Sequence, residues 1–84
     1  MTVYVDDAVF MKPNGRKKYA HMVATSYEEL HEFAAKIGVK KHFFHRSSKY
    51  PHYDITEQQR LTAVEAGAVA TSSKTVLEVA KSLL

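Results

Sequence analysis

Three short stretches carry the side chains able to do chemistry: Asp6-Asp7 at the end of "VYVDD", His21 inside "KYAHMVAT", and His52-Tyr53-Asp54 inside "YPHYDIT". Adjacent carboxylates repel each other unless a cation or a donor neutralises them, and oxygen ligands of this kind suit a hard ion such as Mg²⁺ or Mn²⁺. Asp6 and Asp7 also sit where a buried strand emerges, the end of a strand at which open α/β sheets collect ligands. The competing structural role is a turn cap made by either side chain. In the third stretch, a neutral imidazole beside a carboxylate can bind metal or act as a general base, and free amides at the start of a following helix favour an anion. The structural alternative gives Asp54 to the helix dipole, leaves His52 in solvent and spreads Tyr53 over the core edge. His21 lies among apolar neighbours, so if buried it requires partners for its ring nitrogens.

Phosphate could be met by Arg16, Lys17 and Lys18 and by the hydroxyls of "TSSK" at residues 71–74, although the glycines that wrap a backbone around phosphate are lacking there. Of the remaining histidines, the spacing puts His31 beside an apolar helix stripe at a boundary, and His42 and His45 on the surface of a short strand.

These residues need elements to hold them. "TVYV" reads as a strand buried on both faces, and Pro-Asn-Gly within "KPNGR" is the strongest turn signal in the chain. Residues 18–25 form a second strand, with Tyr19, His21 and Val23 on one face and Ala20, Met22 and Ala24 on the other. "SYEELHEFAAKIG" predicts a helix with a Ser26/Glu29 capping box, a Leu30, Phe33, Ala34 and Ile37 stripe, and Gly38 as its stop. "KHFFH" predicts a short strand followed by the polar loop "RSSKYPH". Thr56 then caps a second helix with Gln59, which Leu61 and Val64 anchor and Gly67 follows. "AVAT" is a last strand, and Ser72 or Ser73 caps a third helix that buries Val76, Leu77, Ala80, Leu83 and Leu84. Strands alternating with helices imply a small single-domain α/β layered fold of about four short strands and three helices, with right-handed crossovers where strands pair in parallel.

Composition narrows the chemistry further. No cysteine is present, which excludes disulfides, thiolate zinc sites and a cysteine nucleophile, so any metal must use histidine and carboxylate. The 84 residues suffice for one thin core, and their 45% hydrophobic content holds no run near the roughly 18 apolar residues of a membrane span. "MTVYVDD" lacks the basic start and apolar stretch of a signal peptide, so a cytoplasmic location is expected. A net charge of +3 assists contact with phosphate without demanding it.

In order, "VYVDD", "GR", "HMVA", "EELHEFAAKIGV", "HYDIT" and "AGAV" resemble a small family of bacteria and their phages, catalogued as domain of unknown function four-zero-three-one. The resemblance spans nearly the whole chain. It implies that Asp6, Asp7, Gly15, Arg16, His21, Glu29, Leu30, His31, Gly38, His52, Tyr53, Asp54, Gly67 and Ala68 fall on motif positions, with Ser26 standing where family members often carry an acidic residue. Turn, cap and core needs account for Gly15, Glu29, Leu30, Gly38 and Gly67. They do not account for Asp6, Asp7, His21, His52 and Asp54 together.

Two functions follow as expectations. One is a metal-assisted phosphoester or nucleotide hydrolase, in which Asp6, Asp7 and Asp54 hold Mg²⁺ or Mn²⁺, His52 or His21 positions a water, and Arg16 and Tyr53 contact the substrate. The other is a non-enzymatic accessory module that binds a nucleotide, a nucleic acid or a protein partner through the same polar residues. Self-association into a homo-oligomer is a further expectation, as a way to hide sheet edges.

Overall fold

The computed structural model describes residues 2–7, the backbone of residues 10–11, and residues 18–45 and 50–83. The strands are β1 (Val3–Val5), β2 (Phe10–Met11), β3 (Lys18–Ala24), β4 (Phe44–His45), β5 (His52–Thr56) and β6 (Val69–Ala70); the helices are α1 (Tyr27–Lys36), α2 (Glu57–Glu65) and α3 (Ser73–Lys81). They form one sheet in the order β4-β5-β3-β1-β6, with β2 also paired to β3. Among the described residues only β1 and β6 run parallel; the other pairings are antiparallel. The α/β layered class is as expected, while the strands are more numerous and mostly antiparallel. Arg16 and the "KPNGR" turn lie outside the described residues.

Strand alternation sorts the side chains onto two unlike faces. Val3 and Val5 of β1, Ala20, Met22 and Ala24 of β3, and Tyr53 and Ile55 of β5 point to one face, where they pack with Leu30 and Ala34 of α1 and Ala63 of α2. On the other face, Val23 packs with Val76 and Ala80 of α3, joined by Tyr4, Tyr50 and Val79. The sheet is therefore the middle of three layers, with α1 and α2 on one side and α3 on the other. The apolar layer under α1 and α2 is the larger, and the layer under α3 leaves part of its face to polar side chains.

"YPHYDIT" is not a helix entrance. Its last five residues are β5, an inner strand paired with β3 on one side and β4 on the other. His52, Asp54 and Thr56 alternate with the buried Tyr53 and Ile55, and that period of two is a strand pattern. "KHFFH" departs in the opposite direction: Lys41–Phe43 close a 3₁₀ turn through the Phe43 N–H and the Lys40 carbonyl, leaving only Phe44 and His45 as strand.

The helix caps are mostly as the sequence implies. Ser26, Thr56 and Ser72 accept from the amides of Glu29, Gln59 and Thr75, and Gln59 returns the bond to Thr56 as a full capping box. The Ser26/Glu29 box is only half made, because the Glu29 carboxylate takes the Thr25 hydroxyl at 2.8 Å instead. Two buried faces also differ from expectation. In α2 the buried residue is Ala63, while Leu61 is 55% exposed and Val64 is also exposed. The small alanine brings α2 close to the sheet, and Arg60 occupies the adjoining position with a bond to β1. In α3, Val76 and Ala80 are buried and Leu77 is exposed.

Gly67 closes the α2–β6 turn at φ +114, a conformation that L side chains rarely adopt, although an added Cβ would meet nothing within 4 Å. Gly67→Ala is thus expected to destabilise through backbone strain alone, by about 1–3 kcal/mol. Urea unfolding checks this, and an unchanged midpoint would contradict it.

Candidate metal centre

The polar part of the α3 face is a row of side chains running across four neighbouring strands. His21 of β3 stands directly opposite Asp54 of β5, and His52 of β5 stands opposite His45 of β4. Asp6 follows β1 on the other flank of β3, with its amide bonded to the His21 carbonyl at 3.2 Å. Opposed residues in antiparallel strands hold their Cβ atoms about 4.5–5.5 Å apart, so register alone gathers the five residues. Strand order then sets their sequence in space: Asp6, His21, Asp54 with His52, and His45.

Asp6 is fully buried and accepts three bonds. Its Oδ1 takes the His21 backbone N–H at 2.7 Å, and its Oδ2 takes His21 Nδ1 at 2.7 Å and the Ser73 hydroxyl at 3.2 Å. Since a carboxylate only accepts, the neutral His21 ring carries its hydrogen on Nδ1 and keeps an acceptor lone pair on Nε2. His52 Nδ1 donates to the Tyr50 carbonyl, and its Nε2 lies 3.0 Å from Asp54 Oδ1. Asp54 Oδ2 lies 2.8 Å from Nε2 of His45. The His45 ring stacks on His52 with centroids 4.9 Å apart, and His21 meets His52 edge-on at the same distance.

Burial alone would push the His52 imidazole down. The hydrogen bond to Asp54, the Tyr50 carbonyl and the charges of Asp54 and Asp6 outweigh it and hold His52 above its ordinary value of 6.5. Both ring nitrogens face acceptors, an arrangement that only the imidazolium satisfies in full. A raised folded-state value contributes stability that is fully present below about pH 6.5 and is lost as pH rises through that raised value. His31, on the opposite face, has the reverse sign: burial, aided by Lys41, lowers it. Its contribution is intact above about pH 6.5 and is lost as pH falls through the lowered value. Proton NMR of the metal-free protein should therefore show the His52 ring titrating above 6.5 and the His31 ring below it. The opposite order would refute this assignment.

One ligand atom each from His21, His52 and Asp54 lies within 4.8 Å of the others. Two imidazoles and a carboxylate are a donor set suited to Mn²⁺, Fe²⁺ or Zn²⁺ better than to Mg²⁺, which prefers oxygen alone. Each of the three is also oriented from behind: His21 by Asp6, His52 by the Tyr50 carbonyl and Asp54 by His45. Outer partners of this kind fix the ring tautomer and the direction of a metal-ligating group.

Of the residues singled out from the sequence, Asp6, His21, His52 and Asp54 come together. Asp7 does not: its side chain is 78% exposed and its Oδ1 lies 3.4 Å from Arg60 Nη2. Tyr53 is 1% exposed in the apolar layer, with its hydroxyl 2.7 Å from His31 Nδ1. Arg16 lies outside the described residues. Three contributors were not foreseen. His45 lies at the surface of a short strand, as the spacing implies, and in addition pairs with Asp54. Ser73 turns the first residue of α3 onto Asp6. Arg60 bonds the Asp6 carbonyl through Nε at 2.6 Å, tying α2 to the end of β1. The signal for His45 was the alternation in "FFH" and "HYD", which puts His45 and His52 on one face once the two strands pair.

No curated protein and no solved structure matches the chain. A family model described as Protein of unknown function (DUF4031) matches residues 3–83. With that match covering nearly the entire length, from β1 through the end of α3, the chain belongs to this family.

Proposed function

We propose that the protein is a metal-assisted phosphoester hydrolase, with a divalent ion held by His21, His52 and Asp54 and oriented by Asp6, His45 and the Tyr50 carbonyl. The carrying observation is the convergence of the three ligand atoms, each with an outer partner in place. The donor set moves the proposed ion from Mg²⁺ or Mn²⁺ held by Asp6, Asp7 and Asp54 to Mn²⁺ or Zn²⁺ held by two imidazoles and one carboxylate. A bound ion of this kind lowers the pKa of a water and polarises a phosphoryl oxygen. Asp6 would keep the His21 ring in the tautomer with Nε2 unprotonated, and His45, the most exposed member at 46%, would stand at the solvent side. The proposed substrate is a phosphate of a nucleotide or nucleic acid, in keeping with the net charge of +3 and with Lys74 exposed beside Ser73.

A second reading is a non-enzymatic binding module in which the ion is structural. It is favoured by the burial of Asp54, 7% exposed, since structural sites are closed whereas catalytic ones keep an open position. Hydrolysis of bis(p-nitrophenyl) phosphate with Mn²⁺ or Zn²⁺ separates the two. Turnover above the metal blank that disappears in His21→Ala supports the hydrolase. Tight metal binding without turnover supports the closed module, and no metal binding removes both. Among the described residues, no helix is long and apolar enough to cross a membrane.

A further inference from the structure

A second candidate site lies on the opposite side of the sheet. A cavity of about 430 Å³ is bounded by Val3 at the start of β1, by Glu29, Glu32, Phe33 and Lys36 of α1, and by Gly67 in the α2–β6 turn. Glu29 is 8% exposed, and its Oε2 is buried without a hydrogen-bond partner among the described residues, while Oε1 takes the Thr25 hydroxyl. A buried carboxylate oxygen in that state lacks the donor that would offset its lost hydration. Glu32 lies one turn further along the same helix face and supplies a second carboxylate. Among the described residues neither glutamate forms an ion pair, with Lys36 included.

From this cavity and its unpartnered carboxylate oxygen we infer that the α1 face binds an alkylguanidinium group, such as an arginine side chain. The chemistry of each wall matches one part of that ligand. Val3 and Phe33 cover an aliphatic stem, and the Phe33 ring also attracts a cation. The planar head carries several N–H donors in a fixed fork, so it can serve Glu29 Oε2 and Glu32 together, whereas an ammonium concentrates its donors at one point. The open space next to Gly67, where even an added Cβ meets nothing within 4 Å, leaves room for the stem to enter.

The test is titration of the full chain with agmatine, followed by ¹H–¹⁵N NMR, with cadaverine as the ammonium counterpart. The expected result is saturable shifts at the amides of Glu29, Glu32, Phe33 and Gly67, with agmatine binding several-fold more tightly than cadaverine. Glu29→Gln keeps an oxygen for Thr25 and should abolish binding. Glu32→Gln, at an exposed position that does not burden folding, should weaken it several-fold. His52→Ala should leave it unchanged, which separates this site from the proposed metal centre. A capped Gly-Arg-Gly peptide distinguishes the source: binding of both probes points to an arginine in a protein partner, and binding of agmatine alone points to a free small molecule. Absence of saturable shifts, equal binding by Glu29→Gln, or preference for cadaverine would overturn the inference.

Discussion

Replacing Asp6 by alanine is expected to cost about 3–5 kcal/mol of folding stability, because it strands several donors at once and each buried polar group left unsatisfied costs about 1–3 kcal/mol. The side chain is fully buried and accepts from the His21 amide, the His21 ring and Ser73. Removing it leaves three donors behind, one of them a backbone amide at the edge of the β1–β3 ladder. A domain of this size holds only about 5–15 kcal/mol in total, so the variant should lie near the limit of folding. Asp6→Asn keeps one oxygen for the His21 amide and should lose less. It places an amide group where the ring of His21 needs an acceptor, so it should still weaken metal binding by about 10–100-fold through misorientation of that ring. Urea unfolding measures the first effect and calorimetric titration with Zn²⁺ the second. A loss below about 1 kcal/mol for Asp6→Ala would show that Asp6 is not the anchor its contacts describe.

The second large effect is on metal binding itself. Asp54→Asn is expected to reduce Zn²⁺ or Mn²⁺ affinity by more than about 100-fold, beyond the range of an outer-shell change, because it removes the only carboxylate among the three proposed ligands. The asparagine retains the size of the side chain within the sheet, so circular dichroism should show the fold intact. His45→Ala acts through its contacts with Asp54 and His52 and should cost about 10–100-fold. Asp7→Ala should change nothing, since that side chain points to Arg60. Equal losses for Asp7→Ala and Asp54→Asn would mean that the ion binds elsewhere. Affinity should also fall at acid pH, because each imidazole must give up its proton to coordinate a metal.

Much of the architecture was legible because local chemistry decides it. Ser26, Thr56 and Ser72 announce helix starts, and Gly38 and Gly67 take the positive φ expected at helix ends. The α/β class follows from the alternation of strands and helices. What local chemistry does not encode is pairing. "HYDIT" alternates as a strand, yet its proline and polar residues resemble a helix entrance until β3 is placed beside it. The grouping of Asp6, His21, His52 and Asp54 was readable as a set of unexplained polar residues, but the position of Asp7 was not. Neighbouring residues at a strand end point in different directions, and only the contact with Arg60 on α2, 53 residues away in sequence, shows where Asp7 goes. Leu61 looked like an anchor by type alone, whereas α2 meets the sheet through a smaller neighbour.

The unlike faces of the sheet also bear on how the strands find their alignment during folding. Sliding β5 by one residue against β3 would carry Tyr53 and Ile55 to the polar face and drive His52 and Asp54 into the apolar layer beneath α1 and α2. Misaligned pairings of that kind would bury charge without partners, so they are disfavoured as α1 and α2 close over that face. The histidine and aspartate row thus acts as a key for strand alignment, rejecting near-native mispairings in a sheet whose outer strands, at two residues each, are too short to enforce register themselves.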